Sequence, residues 1–393
     1  MESNLTNFSI ENTSFLASNC KGLNLKSILN QFINYGNRLE LDYILSVIKQ
    51  KQAEKDFIKM FLDELKTNVD ILDQKIFENT LIQLIFFDIR WHENYSDDQI
   101  ILTSLSDFLI DLNIAYTGYN YKCLGMLLKN FSLVNSQGPG ESEFLSETRH
   151  QTLTKTINCQ AMYDFSHNII NHLIKIIPSC KVHIPKLFEN LFPYMSKETL
   201  IQEAFVKNLL IVAENISDLR LILLEICIQK LLIIDVNCQR EQIISAESNE
   251  EFSSSNSQNI TSMSHILASK LDSMMLCLFE FIQKNCIKDS FLLMKENNEI
   301  LKFNWEFCKS IYKDILFCFD KYILTTYGSS HVQFVIFYIC SFRSMLSEGF
   351  LDYLWKKFIS VNTSSVSKAI CCYYLGSFLA RLNCFTLIFF NHY

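Results

Sequence analysis

Apolar residues recur at helical spacing from Leu23 onward. Leu25, Ile28, Leu29 and Phe32 form one stripe, and Phe57, Ile58, Phe61, Leu62 and Leu65 form another. This is the i, i+3, i+4, i+7 pattern of helices that bury one face. The segment "YSDDQIILTSL" predicts a helix start: Ser96 as the cap, Gln99 three residues on, then Ile100, Ile101 and Leu102. The pattern continues through Leu102–Ile114, Cys123–Phe131, Phe165–Ile177, Ile184–Phe192, Leu200–Ala213 and Leu219–Val236. Residues 1–22 are polar and are expected to be loose.

Two stretches break the rhythm. Residues 132–151 contain Gly138-Pro139-Gly140 followed by three glutamates, and 241–264 carry four glutamates and eight serines with no Lys or Arg. Both read as acidic, Ser-rich surface loops, either inert insertions or contact segments tuned by phosphorylation. Three of the four prolines fall within 178–193. Pro178 is expected to end one helix and Pro185 to sit in the first turn of the next. Pro193 is expected to end that helix, with Ser196 capping the one after it. In 331–358 the uninterrupted apolar run, Phe334–Cys340, is seven residues, far short of the ~20 that span a bilayer. Leu346, Phe350, Leu354 and Phe358 then step by four, with Leu351 and Trp355 assigned to the same side and Asp352, Lys356 and Lys357 to the other. The expectation is a buried helix followed by an amphipathic one. Residues 369–390 are a longer apolar run, interrupted by Arg381 and Asn383 and without a basic flank.

Composition narrows the class. In 393 residues there are 9 glycines and 4 prolines, too few for the turns of a β-sandwich or a Gly-loop α/β enzyme. The fold is predicted to be all-α. The helical stretches are ~10–18 residues long and pair at a spacing of about 40 residues, which points to a HEAT-repeat-like α-solenoid over 23–393. The net charge is −7 with no basic run, so little direct nucleic-acid binding is expected. The fourteen cysteines include no C-x-x-C pair, and most sit in apolar helical stretches (Cys227, Cys277, Cys318, Cys340, Cys371, Cys372). They read as reduced thiols packed as small hydrophobes. The N-terminus has no Lys or Arg before Lys21 and no apolar core, unlike a signal or transit peptide.

No P-loop, G-x-G-x-x-G, G-x-S-x-G or H-E-x-x-H occurs. His167 and His172 are five apart, the wrong spacing for a metal pair on one helical face. The chain is expected to be a non-enzyme without cofactor or metal, and no membrane partner is expected.

Particular residues go further. "HVQFVIFYICSF" (331–342), "EGFLDYLWKK" (348–357) and "YLGSFLAR" (374–381) follow one another in order. A second block is "LIKIIPSCKVHIPKLFENLFPYMSKETLIQEAFVKNLL" (173–210), followed by "KLLIIDVNCQRE" (230–241), and "LGMLLKNF" (124–131) is a weaker one. With these blocks the chain resembles the RNA polymerase I-specific transcription initiation factors of the TIF-IA (Rrn-three) family over most of 100–385. The signature residues are His331, Gln333, Phe337, Tyr338, Cys340, Phe350, Trp355, Lys356, Gly376, Ser377, Phe378 and Arg381.

The resemblance implies a helical solenoid that binds RNA polymerase I subunits and links them to the promoter-bound selectivity (core) factor on ribosomal DNA. It implies a nuclear and nucleolar location and control by phosphorylation. The runner-up reading is a HEAT-repeat adaptor of another class, such as a transport receptor. The partner-contact expectation centres on Ser179, Lys181 and His183, against the alternative that these are ordinary exposed inter-helix residues. The sequence departs from the family in four places. Ser179-Cys180 stands where members often carry Ser-Thr, and the loop after "LLKNF" is less acidic. Gly349 replaces an Ala, and the chain stops at "LIFFNHY" where the family continues with further helices and an acidic tail.

Overall fold

A computed structural model describes residues 24–49, 54–72, 77–135, 158–238, 265–288 and 302–390. Residues 1–22, 136–151 and 241–264, and with them nearly all of both acidic loops, lie outside the described residues. The described chain is helical apart from one pair of two-residue strands. It divides into two compact units, the first running to Leu187 and the second beginning at Phe188.

In the first unit the order is α1 (Leu25–Tyr35), α2 (Leu39–Lys49), α3 (Lys55–Thr67), two π-helical turns (Glu78–Ile82 and Leu84–Asp88) and α4 (Trp91–Tyr95). Then come α5 (Gln99–Ala115), α6 (Asn120–Lys129), α7 (Cys159–Ile176), a 3₁₀ turn (Pro178–Val182) and α8 (His183–Leu191), within which the division falls. The stripes read from the sequence are the buried faces. Leu25, Leu29 and Phe32 of α1 are buried, as are Ile58, Phe61, Leu62 and Leu65 of α3. α1 ends because Gly36 takes φ 66° and returns its N–H to the Phe32 carbonyl, the left-handed cap that glycine adopts without a Cβ clash.

Short polar side chains start several helices. Asn24, Asp98, Asn158 and Asn304 each accept from a backbone N–H three residues on, which satisfies one of the orphan donors at a helix start. The cap of α5 is therefore Asp98 and not Ser96. Ser96 is fully buried, and its hydroxyl accepts from the Asn158 N–H at 3.2 Å. Asp98 is also the better cap because it pairs with Lys55 at 2.8 Å. The Ser96 expectation failed because a buried long-range donor claimed its oxygen.

The second unit contains α9 (Thr199–Asn215), α10 (Ser217–Asn237), α11 (Ile266–Cys286), β1 (Ile287–Lys288), β2 (Lys302–Phe303), α12 (Trp305–Cys318), α13 (Phe334–Ser341), α14 (Ser344–Ile359) and α15 (Ser365–Phe390). The single residue Ile216 joins α9 to α10, so the chain must reverse sharply there. α9 packs on both α10 and α11; α11 and α12 pack on α13; α13 and α14 pack on α15. Each helix meets its sequence neighbours and those one step beyond, the arrangement of a solenoid. Ser196 does not cap α9. Glu198 occupies that position without a side-chain bond, and the Tyr194 carbonyl is held by Gln202 Nε2 at 2.9 Å.

The 331–358 expectation holds for its first half: Val335, Ile336, Phe337, Ile339 and Cys340 of α13 are buried. On α14 Leu346, Phe350 and Leu354 are buried, but Trp355 is 53% exposed. At 100° per residue Trp355 lies one step round from Leu354, and the buried face is too narrow to include it. Lys357 does not face away either. It pairs with Asp320 and lies over the Tyr353 ring, binding α14 to the π-helical turn Phe319–Ile323.

Among the described residues no single helix is long and apolar enough to cross a membrane. One pair, α5 with Thr117–Ser132, is apolar enough together but bends by 116°, and its Leu105, Phe108, Leu109, Leu124 and Leu127 are core residues. The cysteines from Cys123 to Cys372 whose side chains are described are free, and of these only Cys372 is exposed.

Candidate functional site

The turn 178–183 is fixed by proline chemistry. Ile177 precedes Pro178 and takes φ −123°, ψ 80°, outside the helical region that the proline ring denies to the residue before it. Its N–H still closes α7 on the Leu173 carbonyl at 2.6 Å. Pro178 opens the 3₁₀ turn and Pro185 falls in the first turn of α8, where a missing N–H costs least.

Cys180 is fully buried, and Ser179 beside it is exposed. Of Ser179 and Cys180, only Ser179 is presented to solvent. Lys181 and His183 are half-buried, and the His183 ring meets Tyr121 edge to face at 5.6 Å. Val182 between them is 77% exposed and Ile176 is 45% exposed. Ser179, Lys181 and His183 therefore share one turn with a lysine-bearing, partly apolar surface.

The signature residues of 331–381, Trp355, Lys356 and Gly376 aside, converge in the second unit, and what holds them is a residue of the 230–241 block to which the sequence assigned no role. Asp235 of α10 is 1% exposed. Its Oδ2 accepts from Ser329 Oγ at 2.7 Å, from the N–H of Ser330 and His331 at 2.9 Å each, and from the N–H of Val332 at 3.1 Å. Its Oδ1 lies 2.7 Å from His331 Nδ1. A carboxylate only accepts, so Nδ1 carries the proton. Burial pushes the Asp235 carboxyl up, but the bonds from His331, Ser329 and the backbone of His331 and Val332 outweigh it. The group lies below its ordinary range. Gly328 just before the loop takes φ 84°, which lets the chain turn into this cradle.

From the cradle the contacts run on through the signature. Gln333 Nε2 donates to the Ser330 carbonyl at 2.7 Å, and its Oε1 accepts from Ser377 Oγ at 3.3 Å. Arg381 Nη1 donates to Ser377 Oγ at 2.7 Å, and the guanidinium lies 5.3 Å over the Phe334 ring. Phe337, Phe350 and Phe378 form a triangle of edge-on rings 5.0 to 6.1 Å apart. Tyr338 packs on Phe279 at 4.8 Å, and Cys340 is buried. Trp355 and Lys356 stand outside this network: both are exposed, and Lys356 reaches only Asp352 on its own helix. Gly376 is exposed, and a Cβ there would meet nothing. Gly349 differs, because a Cβ there would come within 3.3 Å of the Tyr312 hydroxyl. The glycine that weakens α14 also makes room for α12. Asp235 left two signals in the sequence, its place in the block "KLLIIDVNCQRE" and its position as a lone carboxylate inside the apolar run "LLIIDV". What it paired with was nearly a hundred residues away.

Among the described residues no group of His, Cys, Asp and Glu could hold a metal ion. His167 is buried and stacks on Phe131 at 4.6 Å.

Comparison with known proteins gives a consistent result. The chain is similar to the mouse protein named RNA polymerase I-specific transcription initiation factor RRN3, with 27% identity over 380 residues. The match takes in 90% of this chain and 54% of the mouse protein, so the chain spans about half the length of that relative. A solved structure, that of RNA polymerase I transcription initiation factor Rrn3, superposes with a TM-score of 0.66 over 91% of this chain and 63% of its own, at 17% identity. At that identity the likeness bears on the fold, an all-α solenoid. The model of the family described as RNA polymerase I specific transcription initiation factor RRN3 matches residues 24–251 and 240–386, nearly the whole described chain, and the protein belongs to that family.

Proposed function

We propose that this chain acts as an RNA polymerase I-specific transcription initiation factor of the TIF-IA type. In this reading it binds polymerase I and joins it to the promoter-bound selectivity (core) factor at ribosomal RNA genes. The observation that carries the reading is the family match over 24–251 and 240–386. The rest of the molecule agrees with it. Stacked helices of the solenoid kind present surface for partner contacts. A net charge of −7 leaves DNA contact to the partners. The location that goes with this work is the nucleus, in the nucleolus.

The contact we assign to polymerase is the turn bearing Ser179, Lys181 and His183. An exposed hydroxyl beside a lysine and exposed Val182 offers polar and apolar contacts together, and a phosphate on Ser179 would reverse its local charge. The signature residues His331, Gln333, Phe337, Tyr338, Phe350, Ser377, Phe378 and Arg381 then serve to build the second unit and not to touch a partner.

The test is retention of polymerase I subunits from nuclear extract by the immobilised 393-residue chain at low salt. Reproducible absence of polymerase overturns the reading. Ser179→Asp is expected to weaken that retention by about tenfold, the scale of one charge-assisted hydrogen bond. Unchanged retention removes the turn from the interface while leaving the wider reading in place.

A further inference from the structure

The surface around the turn 178–183 is built from stretches without acid. The sequence holds no Asp or Glu between Asp164 and Glu189, and none between Asp111 and Glu141. These stretches supply the end of α7, the turn, the start of α8 and the whole of α6, with α6 packed on α7. The Tyr121 ring at the start of α6 meets His183 at 5.6 Å, and a Cβ on Gly125 would lie 3.5 Å from Leu187. All of these residues belong to the first unit. In a chain of net charge −7, a face made from lysine-bearing, carboxylate-free segments stands apart from the average.

Cations and apolar side chains are mixed on this face. His172, Lys175 and Ile176 are exposed on one side of α7, at the three- and four-residue spacing that makes helix neighbours. Ser179 and Val182 follow in the 3₁₀ turn, where residues three apart eclipse, and both are exposed. His183 and the exposed Lys186 share a side of α8, and Tyr121 is exposed beside His183. Among the described residues neither Lys175 nor Lys186 has an ion pair. Lysines free to take carboxylates thus flank exposed Ile176 and Val182.

The mixture selects the occupant. Cations without neighbouring carboxylates attract negative charge, and exposed apolar side chains in the same patch gain from being covered. A nucleic-acid duplex meets only the first need. Ordinary duplex binders also neutralise roughly six to ten phosphates, more than Lys175, Lys181 and Lys186 can reach. We propose that this face binds an acidic segment of a protein partner, one with apolar side chains set among its carboxylates. The carboxylates meet Lys175 and Lys186, and the apolar side chains cover Ile176 and Val182. The inference rests on the reading of this turn as the polymerase contact only for which protein carries the segment.

The test follows binding of a short fluorescein-labelled peptide of Asp and Glu interspersed with Leu and Phe to the 393-residue chain, by anisotropy. Replacing its acids with Asn and Gln is expected to weaken binding by about tenfold, as is the double variant Lys175→Glu, Lys186→Glu. Lys175→Arg with Lys186→Arg should keep the affinity, and added salt should lower it. The proposal is overturned if the neutral peptide binds as tightly, if the charge reversal changes nothing, or if a short DNA duplex displaces the peptide. It also falls if the reversal dissolves a dimer, which makes the occupant a second copy. Binding that appears only after Glu141→Gln, Glu143→Gln and Glu147→Gln makes it the chain's own acidic segment, with the same result. Polymerase retention separates the two readings. A chain that binds the peptide but retains no polymerase loses the wider reading and keeps this face. One that retains polymerase equally with both lysines reversed keeps the wider reading and loses this face.

Discussion

Asp235 shows how much one side chain can carry. It is buried on α10, yet it accepts three backbone N–H groups and two side-chain donors from the segment that leads into α13. Removing the carboxylate leaves those donors, most of them part-buried, without their partner, which costs more than the bonds themselves contribute. Asp235→Ala is expected to destabilise the protein by about 3 kcal/mol, read from denaturant midpoints. The carboxyl lies below its ordinary range, so protons bind the unfolded chain first as pH falls. Its contribution is therefore present above the unfolded value near 3.8 and is lost as pH drops through the lower folded value. Asp235→Asn is expected to flatten the stability profile below about pH 4 and to be nearly parallel to the parent at neutral pH. An unchanged acid limb would show that the cradle forms without the charge.

At the scale of the element, α14 separates core from surface within one turn. Phe350 is fully buried and packs against the rings of Phe319, Phe337 and Phe378. Trp355, assigned to the same stripe by its spacing, is 53% exposed and leans on Phe358. Phe350→Ala is expected to cost about 3–5 kcal/mol through the cavity left between rings. Trp355→Ala is expected to stay within about 0.5 kcal/mol of the parent. Equal losses in thermal unfolding would contradict the assignment of the two faces. Helix existence was legible here because aromatic and aliphatic residues recur at the helical period. The width of the buried face was not, since it depends on how closely α13 and α15 approach α14. The caps failed for a similar reason. Ser96 has the chemistry of a cap, but a donor from Asn158 took its oxygen, and no local window contains both residues.

For the molecule as a whole, charge sets what the surface avoids. With 42 acidic against 35 basic residues, there is no excess of cations to release counterions from a phosphate backbone. A short DNA duplex is expected to migrate unretarded at ~10 µM protein in physiological salt, a concentration within the affinity range of ordinary non-specific binders. A salt-sensitive shift at lower protein concentration would reveal a basic face that the total conceals. The turn bearing Ser179, Lys181 and His183 was legible because prolines fix its backbone. The exposure of Ser179 beside a buried Cys180 was not, since both are small side chains on one short turn.

By itself the sequence determined the all-α class, through scarce glycine and proline, and the positions of the helices, through apolar period. Its motif blocks determined the family. Only the tertiary structure decided that Asp235 anchors the His331 segment and that Ser377 and Arg381 close on Gln333. The physical reason is range. Helical period is set by residues three and four apart, whereas a buried carboxylate, an amide or a thiol is satisfied by whatever packing brings to it from elsewhere in the chain.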